Sequence, residues 1–294
     1  MPDTSDPDLL KSLATVQTLP TLRAVVNHVL AALDAEDVDL AHVSRLISQD
    51  PAVTGQILRI SNSIFYNASG MSTASIHDAV SRIGGAQVRN LVVSLGVVDA
   101  FPDERSGFDY PAFWRHSFTT ALAAGQVAVH SPKVTLRGSP RDNPYFLAGL
   151  LHDIGSLLLC QELGQEYLEI LEAGKSEGRP LQEVERERLG FDHQDVGAAL
   201  IRRWGLPFEV AAAAEFHHRA REAPEDSADY VLVVHAANLI STGRGVPSGD
   251  AAAVGEPLER DALGIDEETL PRLAEGVEQA AADSELLLLI ARGG

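Results

Sequence analysis

The sequence predicts an all-α protein, a multi-helical fold in which two helical lobes pack on each other. Apolar residues recur at intervals of three and four positions from about residue 8 almost to the end, as on one face of a helix. No stretch alternates apolar and polar residues long enough to predict a strand. The most β-like run, residues 231–234, continues with a helical face and is therefore also predicted as helix.

Five helices are predicted in the first lobe, and sequence signals mark where several of them begin. Pro20 lies where the first turn of a helix accepts proline. Asp50 precedes Pro51 and can accept hydrogen bonds from the free backbone amides of a helix start. Ser75 and Asp78 fit a Ser-x-x-Asp capping box. The predicted helices span about residues 20–33, 40–47, 51–61, 76–83 and 86–101.

A stretch rich in Pro, Asp and Gly at residues 102–107 marks the change to a second lobe. The second lobe is predicted to contain helices at 113–128, 164–177, 181–188, 193–203, 207–218 and 227–241, and one that begins at 144 and includes 152 and 153. The C-terminal part is predicted to contain helices at 266–282 and 284–291. The expected divisions are an acidic tail at 1–14, a first lobe at 15–107, a second lobe at 108–241, and a linker with C-terminal helices at 242–294.

Composition and charge exclude several classes of partner. The 294 residues carry 42 Asp and Glu against 23 Lys and Arg, which gives a formal charge of -19. Because nucleic-acid binding depends on many Lys and Arg that neutralise phosphates, we expect no nucleic-acid partner. A small phosphorylated ligand is compatible with this negative charge, since a bound metal would supply positive charge. No signal peptide or membrane-span run is recognised, which predicts a cytoplasmic protein without a membrane partner.

An adjacent pair, His152 and Asp153, lies within a strongly apolar helical run. Burying an imidazole and a carboxylate costs several kcal/mol unless both are hydrogen-bonded, paired or bound to a metal. Polar residues on neighbouring predicted helices can complete such a site. These candidates are His116, His193, His217, His218, His235 and Asn238.

Several short motifs lie along the chain. They are Leu19-Pro20, residues 46–51, residues 58–63 with Phe65-Tyr66, and residues 76–84, 113–117, 147–155, 183–185 and 191–193. Together they resemble the motifs of the HDOD family, the HD-related output domain of bacterial signalling proteins, and the spacing between the Asp-Pro and Asn-Ser pairs is specific to that pattern. The resemblance covers about residues 15–240 and implies an HD-domain-like helical fold.

The resemblance also implies a metal site, because the family is similar to the HD metal-dependent phosphohydrolases. In that pattern a His, an adjacent His-Asp pair and a final Asp hold a divalent cation, here expected to be Mn, Fe or Mg. The final Asp falls on Asn238, whose neutral amide is a poorer ligand for a hard cation than a carboxylate. The other implied ligands are His116, His152 and Asp153, with His193, His217 and His218 available for a second metal.

The implied ligands also have structural interpretations. His152 and Asp153 can form a buried polar network that fixes helix packing. His116 can be a core histidine that is hydrogen-bonded to a backbone carbonyl. His193 opens a predicted helix, where a capping or surface role is an alternative to coordination.

Two further positions present a choice. His217 and His218 are about a third of a turn apart if they lie on a helix, so only one of them is expected to face the site. We expect it to be His217. For Asn238 we expect a hydrogen bond to the site or to its occupant, with a role in helix packing as the alternative.

These expectations favour a stand-alone HDOD-type regulatory protein that acts by binding, with a partly retained metal site and no turnover. Its signal would come from another chain or a diffusible molecule, since no receiver, cyclase or DNA-binding segment is recognised. The expected partners are a signalling protein, a small nucleotide-type ligand and a second copy in a homodimer. The alternative is an active metal-dependent phosphohydrolase acting on a nucleotide or cyclic nucleotide, against which Asn238 argues.

Overall fold

The structure, a computed structural model, consists of helices and their connections. It describes residues 20–35, 37–63, 67, 70–102, 107–134, 145–243, 260–269, 271–279 and 282. These residues contain no strand, so the predicted all-α fold is confirmed. Residues 231–234 lie in a helix, as expected.

The helices are named here in chain order. The first five are α1 (Ala24–Leu33), α2 (Leu40–Ile47), α3 (Pro51–Ser61), α4 (Ile76–Ile83) and α5 (Gly85–Ala100). The next eight are α6 (Tyr110–His130), α7 (Phe146–Leu151), α8 (Ile154–Leu163), α9 (Gln165–Glu177), α10 (Leu181–Leu189), α11 (His193–Arg203), α12 (Phe208–Phe216) and α13 (Ala228–Gly243). The short α14 (Arg260–Leu263) and a helical stretch at 271–279 follow.

Side-chain caps explain where several helices begin. The Asp50 carboxylate accepts hydrogen bonds from two backbone N–H groups of α3, at 2.9 and 3.1 Å. The Ser75 hydroxyl accepts one from the backbone N–H of Asp78 at 3.2 Å, which agrees with the predicted start of α4. At the start of α11, Asp192 and Asp195 form a reciprocal capping box. Local hydrogen bonds therefore fix the starts of these helices.

One predicted helix is interrupted at the His-Asp pair. Apolar periodicity predicts a continuous helix that begins at residue 144 and includes His152 and Asp153, but α7 ends at Leu151 and α8 begins at Ile154. Asp153 has left the helical conformation, with φ -101° and ψ 9°. Periodicity does not reveal the break, because the apolar pattern continues across it. The pair therefore lies in a turn between two helices.

A hydrophobic core places α7 and α8 at the centre of the fold. The segment Phe146–Leu163 is long and apolar enough to cross a membrane, but 83% of it is buried, as is typical of a core segment. Trp114 and Phe118 of α6 belong to the same apolar cluster, together with residues from α1 to α13. Residues of both predicted lobes therefore share one core.

The described C-terminal elements pack on α6 and α13. Leu263 and Leu273 share a second apolar cluster with small residues of those two helices. The helical stretch at 271–279 falls within the predicted helix at 266–282. The linker at 244–259 and the predicted helix at 284–291 lie outside the described residues.

Replacing Asp50 by Ala should lower the free energy of unfolding by about 1 kcal/mol at pH 7, because α3 loses its N-cap acceptor. Burial raises the pKa of Asp50, but hydrogen bonds from α3 amides and the Arg23 guanidinium outweigh it and lower the pKa. This stabilisation is therefore present above the unfolded-state pKa of about 4 and is lost as the pH falls through the lower folded-state pKa. Urea unfolding at pH 7 and pH 3 measures both effects.

Asp50→Asn is the matched control, because Asn also accepts hydrogen bonds at an N-cap but carries no charge. It should keep most of the stability at pH 7 and should change less between pH 7 and pH 3 than the wild type. Equal stability of the wild type and Asp50→Ala at pH 7 would show that the cap does not stabilise α3.

Candidate metal centre

A buried cluster of histidines surrounds one carboxylate where four parts of the chain meet. With the exception of the half-buried His218, its side chains are no more than 5% exposed. We call it the Asp153 cluster. Its members are His116 on α6, His152 and Asp153 in the turn between α7 and α8, His193 at the start of α11, and His217 and His218 just beyond α12.

Asp153 lies between two pairs of imidazoles. Its Oδ2 atom is 3.2 Å from His152 Nε2 and 3.8 Å from His116 Nε2. Its Oδ1 atom is 3.2 Å from His217 Nε2 and 3.7 Å from His193 Nε2. The two Nε2 atoms are 3.3 Å apart in the first pair and 3.4 Å apart in the second. Each carboxylate oxygen therefore faces one pair of rings.

Three of these rings are held through Nδ1 by groups that can only accept hydrogen bonds. His152 and His217 each contact the backbone carbonyl oxygen three residues earlier, at 2.8 and 2.9 Å. His193 Nδ1 lies 2.7 Å from Glu185 Oε2. Because the carbonyl and carboxylate oxygens carry no proton, each ring donates through Nδ1. In the neutral imidazole, the Nε2 atom that faces Asp153 is then an acceptor.

Acceptor atoms that face one another inside a protein repel each other unless a cation or additional protons lie between them. Asp153 Oδ1 is buried and accepts no hydrogen bond, although His217 Nε2 is 3.2 Å away. Imidazole nitrogen and carboxylate oxygen are common ligands of divalent transition metals. Among the described residues, two sets have ligand atoms within 4.8 Å of one another, and both contain Asp153: one adds His116 and His152, the other His193, His217 and His218.

Burial and neighbouring charges determine the electrostatics of the cluster. Burial raises the pKa of Asp153, but the imidazoles of His152 and His217 outweigh it and hold the pKa well below its usual range. Burial lowers the pKa of His193, whereas the Glu185 carboxylate raises it, with a net value of about 9. Burial holds the pKa of His217 well below its usual value. A metal that binds His193 Nε2 must therefore displace the proton that Glu185 favours there.

Glycines allow the helices of the cluster to approach closely. A Cβ atom at Gly155 of α8 would lie 1.9 Å from the carbonyl oxygen of His193 and 2.7 Å from the backbone nitrogen of Gly197. A Cβ atom at Gly149 of α7 would lie 2.8 Å from Ala121 Cα on α6. These contacts bring α6 and α11 to the turn that contains the His-Asp pair.

The structure corrects two expectations about the histidines. His193 is fully buried and Asp192 caps α11, so the surface or capping interpretation of His193 is wrong. Both His217 and His218 offer a ligand atom to the cluster, whereas only one was expected to do so. The reason is that α12 ends at Phe216, so helical spacing does not separate the two rings, whose centroids are 4.1 Å apart.

Asn238 lies on α13 and is buried. Its Oδ1 atom accepts a hydrogen bond from the Thr242 hydroxyl at 3.4 Å, and among the described residues it has none with the Asp153 cluster. One turn earlier, His235 Nδ1 donates to the carbonyl oxygen of His217 at 2.7 Å. Helix α13 therefore contacts the cluster through His235. A ligand role for Asn238 stays a prediction.

Glu185 is not among the site residues predicted from the sequence, although it lies in the motif at 183–185. Glu185 is fully buried on α10, and its Oε2 atom accepts hydrogen bonds from the backbone N–H of His193 at 3.0 Å and from His193 Nδ1. Its Oε1 atom accepts one from the Tyr167 hydroxyl at 2.6 Å. The sequence signal is weak, because α10 contains several other glutamates and arginines that are exposed.

Comparison with a family model gives a match over most of the chain. The model of the HDOD domain matches residues 19–220. An uncharacterized protein of Treponema pallidum is 26% identical over 228 residues, which cover 76% of this chain and 42% of that protein. The chain therefore spans less than half the length of that relative.

Solved structures of bacterial proteins share the fold. An HDOD domain protein of unknown function from Geobacter sulfurreducens has a TM-score of 0.78 at 24% identity, over 94% of this chain and 96% of that one. A predicted signal transduction protein from Marinobacter aquaeolei has a TM-score of 0.74 at 24% identity, over 93% and 59%. A predicted phosphohydrolase from Shewanella amazonensis has a TM-score of 0.72 at 26% identity, over 94% and 97%.

Replacing Gly155 by Ala should lower the free energy of unfolding by about 3 kcal/mol, the upper end of the range for an overpacked core. The added methyl group would overlap the His193 carbonyl oxygen, so α8 and α11 must move apart. Urea unfolding, followed by circular dichroism, measures the change.

Gly55→Ala is the matched control, because Gly55 also lies in a helix but nothing is within 4 Å of its added Cβ atom. It should raise the free energy of unfolding by about 0.5–1 kcal/mol, since Ala restricts the unfolded chain more than Gly does. If both variants were equally stable, the close crossing of α8 and α11 would be contradicted.

Proposed function

Because the chain belongs to the HDOD family, we propose that it is a bacterial signal-transduction protein that acts by binding and holds a divalent cation in the Asp153 cluster. The observation that carries the proposal is the convergence of the Nε2 acceptors of His152 and His217 on one buried carboxylate. A cation removes the repulsion among these groups, whereas an apolar packing role does not require them. The cluster therefore suits a cation better than it suits a plain core.

The donor set favours particular metals. Imidazole nitrogens suit Fe and related transition metals, whereas carboxylate oxygens suit Mn and Mg. A set with two or three imidazoles for each carboxylate therefore favours Fe or Mn over Mg, which prefers oxygen ligands. When bound, such a cation can polarise a phosphoryl oxygen or lower the pKa of a water molecule. His152 and His217 keep their Nε2 atoms directed at it through their Nδ1 hydrogen bonds.

Binding of a cation by the Asp153 cluster can transmit a signal through the helices. Its members come from α6, the turn between α7 and α8, the start of α11 and the end of α12, so one cation would connect segments far apart in sequence. Binding or release of the cation would change how these helices are positioned. Helix α13 would move with them, because His235 is hydrogen-bonded to the carbonyl oxygen of His217. We propose that a signalling protein, or a second copy of the chain in a homodimer, recognises this change.

Burial of the cluster favours binding over turnover. A metal-dependent hydrolase needs an open coordination position that its substrate can reach. The side chains of His116, His152, Asp153, His193 and His217 are no more than 5% exposed. In the described part of the chain, these five side chains leave no exposed coordination position for a nucleotide.

A phosphohydrolase acting on a nucleotide or cyclic nucleotide is the second candidate. The observation in its favour is that the two ligand sets share Asp153, because paired metals suit phosphate chemistry. The resemblance to the predicted phosphohydrolase from Shewanella amazonensis also supports this second candidate function. The burial of the cluster stands against it.

Mn²⁺ at about 100 times its Kd should stabilise the protein by about 2.7 kcal/mol, because it binds the folded state alone. For a chain of this size the corresponding rise in Tm is about 5–10 °C. His152→Ala should lose most of the rise, because it removes a ligand from the cluster. Thermal unfolding with added Mn²⁺ or with a chelator measures the effect, and metal analysis gives the stoichiometry.

His77→Ala is the control, because His77 is an exposed histidine outside the cluster, and it should retain the full rise. The metal-loaded protein is then assayed for hydrolysis of nucleotides and cyclic dinucleotides. We expect none. Hydrolysis that His152→Ala abolishes would establish the second candidate, and absence of any metal-dependent rise in the wild type would contradict both.

A further inference from the structure

We propose that Glu185 is a positioning residue that makes His193 a metal ligand and so controls whether the second cation position is filled. The second position is the set formed by Asp153, His193, His217 and His218. The first is the set formed by His116, His152 and Asp153. The inference rests on the proposed function, because it assumes that the Asp153 cluster holds cations.

Glu185 holds His193 at two points. One carboxylate oxygen accepts hydrogen bonds from both the backbone N–H and the Nδ1 atom of His193, at 3.0 and 2.7 Å. The other oxygen accepts one from the Tyr167 hydroxyl at 2.6 Å. All three side chains are no more than 1% exposed. Glu185 is thus fixed on one side by Tyr167 and fixes the ring of His193 on the other.

Three histidines of the cluster are held through Nδ1, and His193 differs from the other two in the group that accepts its Nδ1 proton. His152 and His217 donate through Nδ1 to neutral backbone carbonyls, whereas His193 donates to a carboxylate. A carboxylate that accepts the Nδ1 proton fixes the tautomer and makes the Nε2 atom a stronger metal ligand. His193 Nε2 lies 3.7 Å from Asp153 Oδ1 and 3.4 Å from His217 Nε2, on the side of the second position.

A role in stability alone explains Glu185 less well. Burying a carboxylate is unfavourable because the charge loses its hydration, and apolar residues in such places are often equally stable or more stable. Here all three hydrogen bonds to the carboxylate come from two residues, and two come from His193 itself. The contacts connect α10 to α9 and to the start of α11, but two of the three act on His193 and fix both its backbone and its ring.

The test compares Glu185→Gln with the wild type in binding of Mn²⁺. Gln has the same shape but no charge, so His193 should become a weaker ligand. We expect the wild type to bind two Mn²⁺ per chain, and Glu185→Gln to bind the second about 10–100-fold more weakly while the first is unchanged. Calorimetric titration gives the two affinities. Paramagnetic resonance gives a second readout, because a coupled Mn²⁺ pair has a signal different from a single ion.

Two further variants separate positioning from folding. Tyr167→Phe removes only the hydrogen bond to Glu185 Oε1 and should weaken the second Mn²⁺ less than Glu185→Gln does. Glu183→Gln changes an exposed glutamate on the same helix and should bind both ions as the wild type does. If Glu185→Gln does not fold, as judged by circular dichroism, Tyr167→Phe alone decides between a selective effect and none.

The possible results have different consequences. Selective loss of the second ion supports the inference. Two ions bound with unchanged affinity, or equal weakening of both, would overturn it while leaving metal binding by the cluster intact. If the wild type binds no Mn²⁺, both this inference and the metal part of the proposed function fail.

Discussion

The charge of Asp153 is the constraint on which the rest of the structure depends. The carboxylate is buried, and it stays ionised because the imidazoles of His152 and His217 outweigh the effect of burial on its pKa. Each of these rings is in turn fixed by a backbone carbonyl, and the ring of His193 by Glu185. Hydrogen bonds from several helices therefore orient these rings around one buried negative charge.

Several features of the helices position the Asp153 cluster and are not required for packing of the core alone. The core segment from α7 to α8 is interrupted at His152 and Asp153, and Asp153 leaves the helical conformation there. Glycines at 149 and 155 then let α6 and α11 approach the turn at backbone contact distance. Helix α12 ends just before His217 and His218, and α13 is joined to that end by His235.

Much of the fold follows from local sequence signals. Apolar periodicity predicts most helices, and Asp50 and Ser75 cap α3 and α4 as their positions indicate. The His-Asp pair within an apolar run also indicates a buried polar cluster. Three features are not predictable in this way. The break at residue 152 is hidden by continuous apolar pattern, the pairing of Glu185 with His193 depends on tertiary contact, and the placement of His218 depends on where α12 ends.

The most direct test of the account is anomalous diffraction from crystals grown with Mn²⁺, measured at the Mn absorption edge. The account predicts a peak at coordination distance, about 2.0–2.3 Å, from an oxygen of Asp153 and from Nε2 atoms of the surrounding histidines. A map with the histidines well ordered but no peak beside Asp153 would contradict it. The converging nitrogens would then be joined by protons, and the cluster would be a packing network.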